Sequence, residues 1–144
     1  MKKTILILIL IAGSAFCDSI LSFKVKNPEI FTLSYTQLWL ETFGEGPVFY
    51  QEGPMFEIEA GLGGFKINVG KASGSVGGGT VKASLFKTWG DPIYIEPNQL
   101  YFGGEIDLQF NHFIASIGAY YHIHGEDEDR KFISTAGVGF CFAF

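Results

Sequence analysis

The sequence predicts an all-β chain that closes into an antiparallel, up-and-down transmembrane β-barrel of about eight strands. Three observations predict it. Short segments alternate apolar and polar residues at strand period, and Gly, Pro and Asn punctuate them. The 144 residues include 15 Phe, 6 Tyr, 2 Trp and 19 Gly, yet beyond the N-terminal stretch no run of apolar residues is long enough for a membrane helix. The last segment, Lys131 to Phe144, has a large apolar face (Phe132, Ala136, Val138, Phe140, Phe142, Phe144, with Ser134) and a smaller one (Ile133, Thr135, Gly137, Gly139, Cys141, Ala143). Such a strand suits a wall between hydrocarbon and a crowded interior.

Residues 1–17 have the layout of a secretory signal: basic Lys2 and Lys3, an apolar run from Ile5 to Ala12, then small Gly13, Ser14 and Ala15. Cleavage is expected after Ala15 or after Cys17. Phe16 before Cys17 departs from a lipoprotein signal. Residues 18–144 then form one domain. They keep 8 basic residues (10 less Lys2 and Lys3) against 15 acidic ones, net −7, which argues against nucleic acid and anionic membrane surfaces as partners. With Cys141 alone remaining there is no disulfide framework; a small residue filling space in a strand explains it better than a reactive thiol.

Ser19 to Lys26 sets Leu21, Phe23 and Val25 against Ser22, Lys24 and Lys26, and Asn27-Pro28 marks a turn. Glu29 to Glu41 opposes Phe31, Leu33, Tyr35, Gln37 and Trp39 to Thr32, Ser34, Thr36 and Leu38. Residues 42–54 are expected as loop from their Gly, Pro and Glu content. Met55 to Gly63 alternates Phe56, Ile58, Ala60 and Leu62 with Glu57 and Glu59; beyond Gly63-Gly64 the parity shifts to Phe65, Ile67 and Val69, as a hairpin or a bulge would cause. Residues 71–79 are expected as a flexible connection. Thr80 to Trp89 is a strand with Phe86 and Lys87 out of pattern, 90–98 a loop with Asp91-Pro92 and Pro97, and Gln99 to Phe110 the cleanest alternation. Asn111-His112 turns the chain into Phe113 to His124, and an acidic loop, 125–130, precedes the terminal strand. A bilayer-crossing strand needs roughly nine to eleven residues, so eight strands fit the length. With the C-terminus in the periplasm, however, the long connections 42–54 and 71–79 fall on the side where turns are usually short. This leaves the strand division and sidedness of residues 18–80 open.

Alternation alone does not say which face is inside, since a lipocalin-like soluble periplasmic barrel alternates in the opposite sense. The polar face decides for a membrane barrel: on the last two strands it is small or weakly polar (Ser116, Gly118, Thr135, Gly137) where a solvated exterior would be charged. An eight-stranded barrel is just filled by its side chains, so a diffusion pore is not expected. A Lys facing mid-bilayer would cost about 2–4 kcal/mol; Lys87 escapes this near a strand end, beside Trp89. The interior then holds Lys24, Lys26, Lys66 and Lys82 with Glu57, Glu59, Glu105 and Asp107, four of each sign. A salt-bridged plug is the expected role, with a proton or ion path as the functional alternative.

His122 and His124, on one face of a strand and followed by Glu126 and Asp127, are loop-site candidates, but their spacing matches no established metal motif. No metal and no cofactor is expected. A lipid-modifying ester hydrolase would need a serine, Ser116 or Ser134, against one of these histidines and Glu126. No His-x-Ser pairing supports it, so no catalytic residue is assigned. Gly70-Lys71 fails as a phosphate loop, because Phe65 and Ala72 stand where Gly and a hydroxyl residue belong.

The C-terminal strand, with Phe140, Phe142 and Phe144 alternating to the end, resembles that of small bacterial outer-membrane β-barrel proteins. The resemblance implies that these residues are the signal read by the barrel-assembly machinery, that outer-membrane lipid surrounds the barrel in a Gram-negative envelope, and that exposed loops meet a surface ligand. The expected role is non-enzymatic. A lipid A deacylase-like enzyme and the soluble lipocalin-like barrel are the alternatives.

Overall fold

The computed structural model describes residues 19–44, 50–74, 77–125 and 130–143, and all regular structure in them is β. The strands are β1 (Ser19–Asn27), β2 (Ile30–Leu38), β3 (Glu41–Phe43), β4 (Tyr50–Gly61), β5 (Gly64–Gly74), β6 (Gly77–Thr88), β7 (Leu100–Phe110), β8 (Phe113–His124) and β9 (Phe132–Ala143). β1 pairs with β2, β2 with β4, and each later strand with the next, until β9 returns to β1; every pairing is antiparallel. Eight staves therefore close an up-and-down barrel with no open edge. The short β3 continues beyond β2 and pairs only with the start of β4.

Closure corrects two sequence expectations. Residues 42–54 and 71–79 are mostly strand: Glu41–Phe43 pairs with Tyr50–Glu52, and Gly74 stands opposite Gly78 in a continuous β5–β6 ladder. Their Gly and Ser content reads as linker because such residues have weak strand preference. Here residues 51–52, 71–74 and 78–79 each lie between two hydrogen-bonding neighbours, which supply the backbone partners that propensity omits. The connections shrink to 44–49 and 75–76, and the eight-strand division holds without a missing strand.

The turns 28–29 and 62–63, the loop 89–99 and the facing ends of β8 and β9 (His124 and Phe132) lie at one end of the barrel; Phe43 and Tyr50, Gly74 and Gly77, the turn 111–112, Ser19 and Ala143 lie at the other. We call these the capped end and the terminal end. The hairpin at 111–112 is tight because Asn111 adopts φ 56°, a left-handed conformation that Asn tolerates. At the capped end the loop folds back over the opening. Ile93 N–H donates to Pro28 O (2.9 Å), Trp89 Nε1–H to Gly61 O (2.9 Å), and Thr88 Oγ1–H to Glu96 O (2.9 Å). Beneath it Ile95 packs on a buried cluster of Phe86, Tyr101, Tyr120 and Ile133.

The β1–β9 seam makes the ring, and it is tight at Gly139. A Cβ there would stand 2.1 Å from Phe23 O and 2.7 Å from Lys24 Cα. Gly104 has room by comparison, its nearest neighbour being Lys82 O at 3.3 Å. Gly139→Val should prevent closure and Gly104→Ala should not, which circular dichroism together with resistance of the folded band to SDS before boiling will report.

Candidate functional site: a charged interior above an open cup

Alternation along the strands turns one set of side chains into the barrel, and register decides which of them meet. Glu59 stands opposite Lys66, Lys82 opposite Glu105, and Glu57 opposite Asn68. Across the lumen Lys24 Nζ lies 2.6 Å from Glu59, and Lys26 Nζ lies 2.9 Å from Glu59 and 2.7 Å from Glu105. Lys66 pairs with Glu29 and lies 3.4 Å from Glu59 and 3.3 Å from Glu105. Lys82 Nζ bridges Glu57 (2.8 Å), Glu105 (3.0 Å) and Asp107 (2.6 Å). These side chains are at most 3% exposed, so each charge depends on its partners for the solvation that water would supply.

Hydrogen bonds complete the network. Thr36 Oγ1 and Asn68 Nδ2 donate to Glu57, and Tyr120 OH donates to Glu105 at 2.7 Å. The Lys66 ammonium also sits 4.8 Å and 5.1 Å from the ring centroids of Phe86 and Tyr120, a cation–π arrangement that ties the charges to the aromatic cap.

Every member of the interior set read from the sequence lies inside and is paired. A fifth carboxylate joins them. Glu29 belongs to the β1–β2 turn and is fully buried. Strand parity would put it outside with Phe31, but Ile30 adopts φ 71° and the alternation resets across it. The interior thus carries four ammonium groups and five carboxyl groups. Burial, opposed by Lys66, pushes the Glu29 carboxyl up to about 7.

The other candidates do not come together. His122 turns inward and meets Gln99 Oε1 at 2.9 Å and the ring of Tyr101. A register irregularity sets Leu100 opposite His124 but Tyr101 opposite His122, and His124 is exposed. Glu126, Asp127 and Phe144 lie outside the described residues. Ser116 is buried six residues from His122 on the same strand, about 20 Å along it, and Ser134 faces outward. Glu57, Glu105 and Asp107 are the acidic group close enough to hold a cation among the described residues; the cation they hold is the Lys82 ammonium.

Below the charges, toward the terminal end, the lumen opens into a cavity of about 360 Å³. Glu57 and Asp107 lie at its floor; Leu38 and Ala72, with Met55 behind them, form an apolar collar into which Ile20 and Leu40 pack. Sequence reading did not find this cup, although inward Gly78 and Ala72 on adjacent strands were its signal.

The fold and interior define a class: a closed eight-stranded antiparallel barrel with buried charged pairs. No protein-family model, no curated protein and no solved structure matches the chain.

Removing Lys82 takes from Asp107 its nearest cation and from Glu57 and Glu105 one of their partners. Lys82→Met should lower stability by about 3–5 kcal/mol, measured by urea unfolding of the purified protein. Glu29 predicts a pH dependence of known sign. Its folded pKa of about 7 exceeds the ordinary carboxyl value of 4.5, so between these values the folded state binds more protons than the unfolded one. Stability from this group is therefore full below pH 4.5 and is lost as pH rises through 7. The unfolding midpoint should fall between pH 5 and pH 8 in the wild type, and by less in Glu29→Gln.

Proposed function

We propose that this chain is a small integral protein of a bacterial outer membrane, with a non-enzymatic role in the envelope and an interior plugged by paired charges. The observation that carries the reading is the reversed polarity of the barrel. Among the described residues 29 large apolar side chains are exposed, while Lys24, Glu59 and Lys66 are fully buried. Val81, Leu108, Ile117 and Val138 are each more than 60% exposed around the waist. A protein in water does not leave so continuous an apolar surface uncovered, and hydrocarbon is the solvent that favours it.

The outer surface is also graded as a bilayer is. Trp89, Phe102, Tyr121 and Phe132 are exposed toward the capped end, and Trp39, Phe110, Phe113 and Phe142 toward the terminal end. Ile58, Ile67, Leu85 and Ile106 are exposed between them. Aromatic girdles flanking an aliphatic band are the pattern of lipid-embedded barrels. Ten residues separate Phe132 from Phe142 on β9; at about 3.3 Å rise and a typical tilt this spans ~25 Å, the height of such a band. Lys87 faces outward near the capped end and gives its ammonium to Asn98 O at 2.8 Å, clear of the waist.

In this reading residues 1–17 are an export signal, and Phe140, Phe142 and Phe144 present the terminal strand to the assembly machinery. The short connections 75–76 and 111–112 then face the periplasm, as short turns usually do. The loops 89–99 and 125–131 face outward and are the surface offered to external molecules.

Protein extracted from the envelope should run faster in SDS before boiling than after, and should fractionate with the outer membrane. Recovery as a soluble periplasmic protein would sink the proposal. Deleting Phe144 should reduce insertion several-fold; unchanged yield in the outer membrane would remove the terminal strand's role as assembly signal.

A further inference from the structure

The cup at the terminal end is lined by polar groups without hydrogen-bond partners. Asp107, at its floor, is 2% exposed, and its Oδ2 accepts from Lys82 while its Oδ1 has no hydrogen-bond partner. A buried carboxylate oxygen left unpaired is costly, and Asp107 is among the residues that line the cavity. Thr80, opposite Asp107 across the β6–β7 ladder, lines the same cavity, and its hydroxyl also lacks a partner. No lysine or arginine lines the cup.

The wall above is different. Ile20, Leu38, Ala72 and Ile114 present hydrocarbon between the acidic floor and the mouth. The volume, about 360 Å³, lies at the small end of ligand sites. Gly78 faces inward on β6, and a Cβ there would meet nothing closer than Ser73 O at 3.4 Å. A larger residue would fit the backbone, and it would fill the cup.

We propose that this cup binds a small organic amine, its ammonium donating to Asp107 Oδ1 and Thr80 Oγ1 and its short hydrocarbon body lying against the collar. The site is inside the barrel and does not depend on what surrounds the outer wall.

Hexylammonium is a suitable probe, with hexanol and hexanoate as isosteres of other charge. The chain as isolated from cells is held in phosphatidylcholine nanodiscs, or in buffer if it proves soluble, and the methyl resonances of Ile20, Leu38 and Ile114 are followed by NMR. Hexylammonium should shift them saturably, at least about tenfold more tightly than hexanol, and hexanoate should not shift them. Asp107→Asn should bring hexylammonium to the level of hexanol. Gly78→Leu, which leaves every interior charge in place, should abolish binding of both. Equal affinity for hexanol and hexylammonium, undiminished binding in Gly78→Leu or Asp107→Asn, or no saturable shift would each overturn the proposal. If Asp107→Asn does not fold, the three probes on wild type and on Gly78→Leu still decide it. Partition into the outer membrane is read separately, so a soluble barrel that binds hexylammonium would reject the membrane reading and keep this one.

Discussion

The rest of the structure depends on the pairing of charges inside the barrel. Four ammonium groups and five carboxyl groups cannot stand in a dry lumen alone; the isolated cost of each is several kcal/mol. They are tolerable because the ring brings them from separate strands to a common axis. Lys24 and Lys26 come from β1, Glu57 and Glu59 from β4, Lys66 from β5, Lys82 from β6, and Glu105 and Asp107 from β7. Lys26 reaches Glu105 across the lumen, since β1 and β7 are separated by β8 and β9. Pairs of this kind specify more than they stabilise. A one-residue slip in β1, β4, β5, β6 or β7 would turn its charges outward and strand their partners, so the network fixes the register of those five staves.

Along its axis the lumen has three zones. Aromatic side chains and the folded-back loop fill the capped end, charges fill the middle, and the terminal end is open. The aromatic and charged zones are coupled through Lys66 and Tyr120, which touch both.

Much of this was legible in the sequence because strand period is a strong signal where one face is charged and the other is not. Glu57 and Glu59, Lys66, Lys82, and Glu105 and Asp107 sit on alternate positions, and parity alone turns them inward. The exceptions share a cause: something local resets the parity or replaces the side chain. Glu29 escaped because the left-handed Ile30 intervenes. His122 and His124 looked like one cluster until a register irregularity separated them. Residues 71–79 looked like a linker because glycine carries no side-chain signal, whereas the place of 71–74 between β4 and β6 and of 78–79 between β5 and β7 is a property of closure that no local window contains.

The two walls of the barrel are under different constraints, and this bears on where function resides. The outer wall of exposed apolar side chains meets one broad requirement, hydrophobicity, so many sequences would serve. The lumen has no such licence. If filling it were the only requirement, the aromatic packing of Phe86, Tyr101 and Tyr120 at one end could be repeated at the other, and Gly78 leaves the room to do so. Instead the terminal end keeps small residues around a floor with a free carboxylate oxygen. Neither closure of the ring nor an apolar surrounding demands that asymmetry. The interior positions around the cup, Ala72, Gly78 and Asp107, and not the outer wall, are therefore where substitution would most change the shape and charge of the lumen.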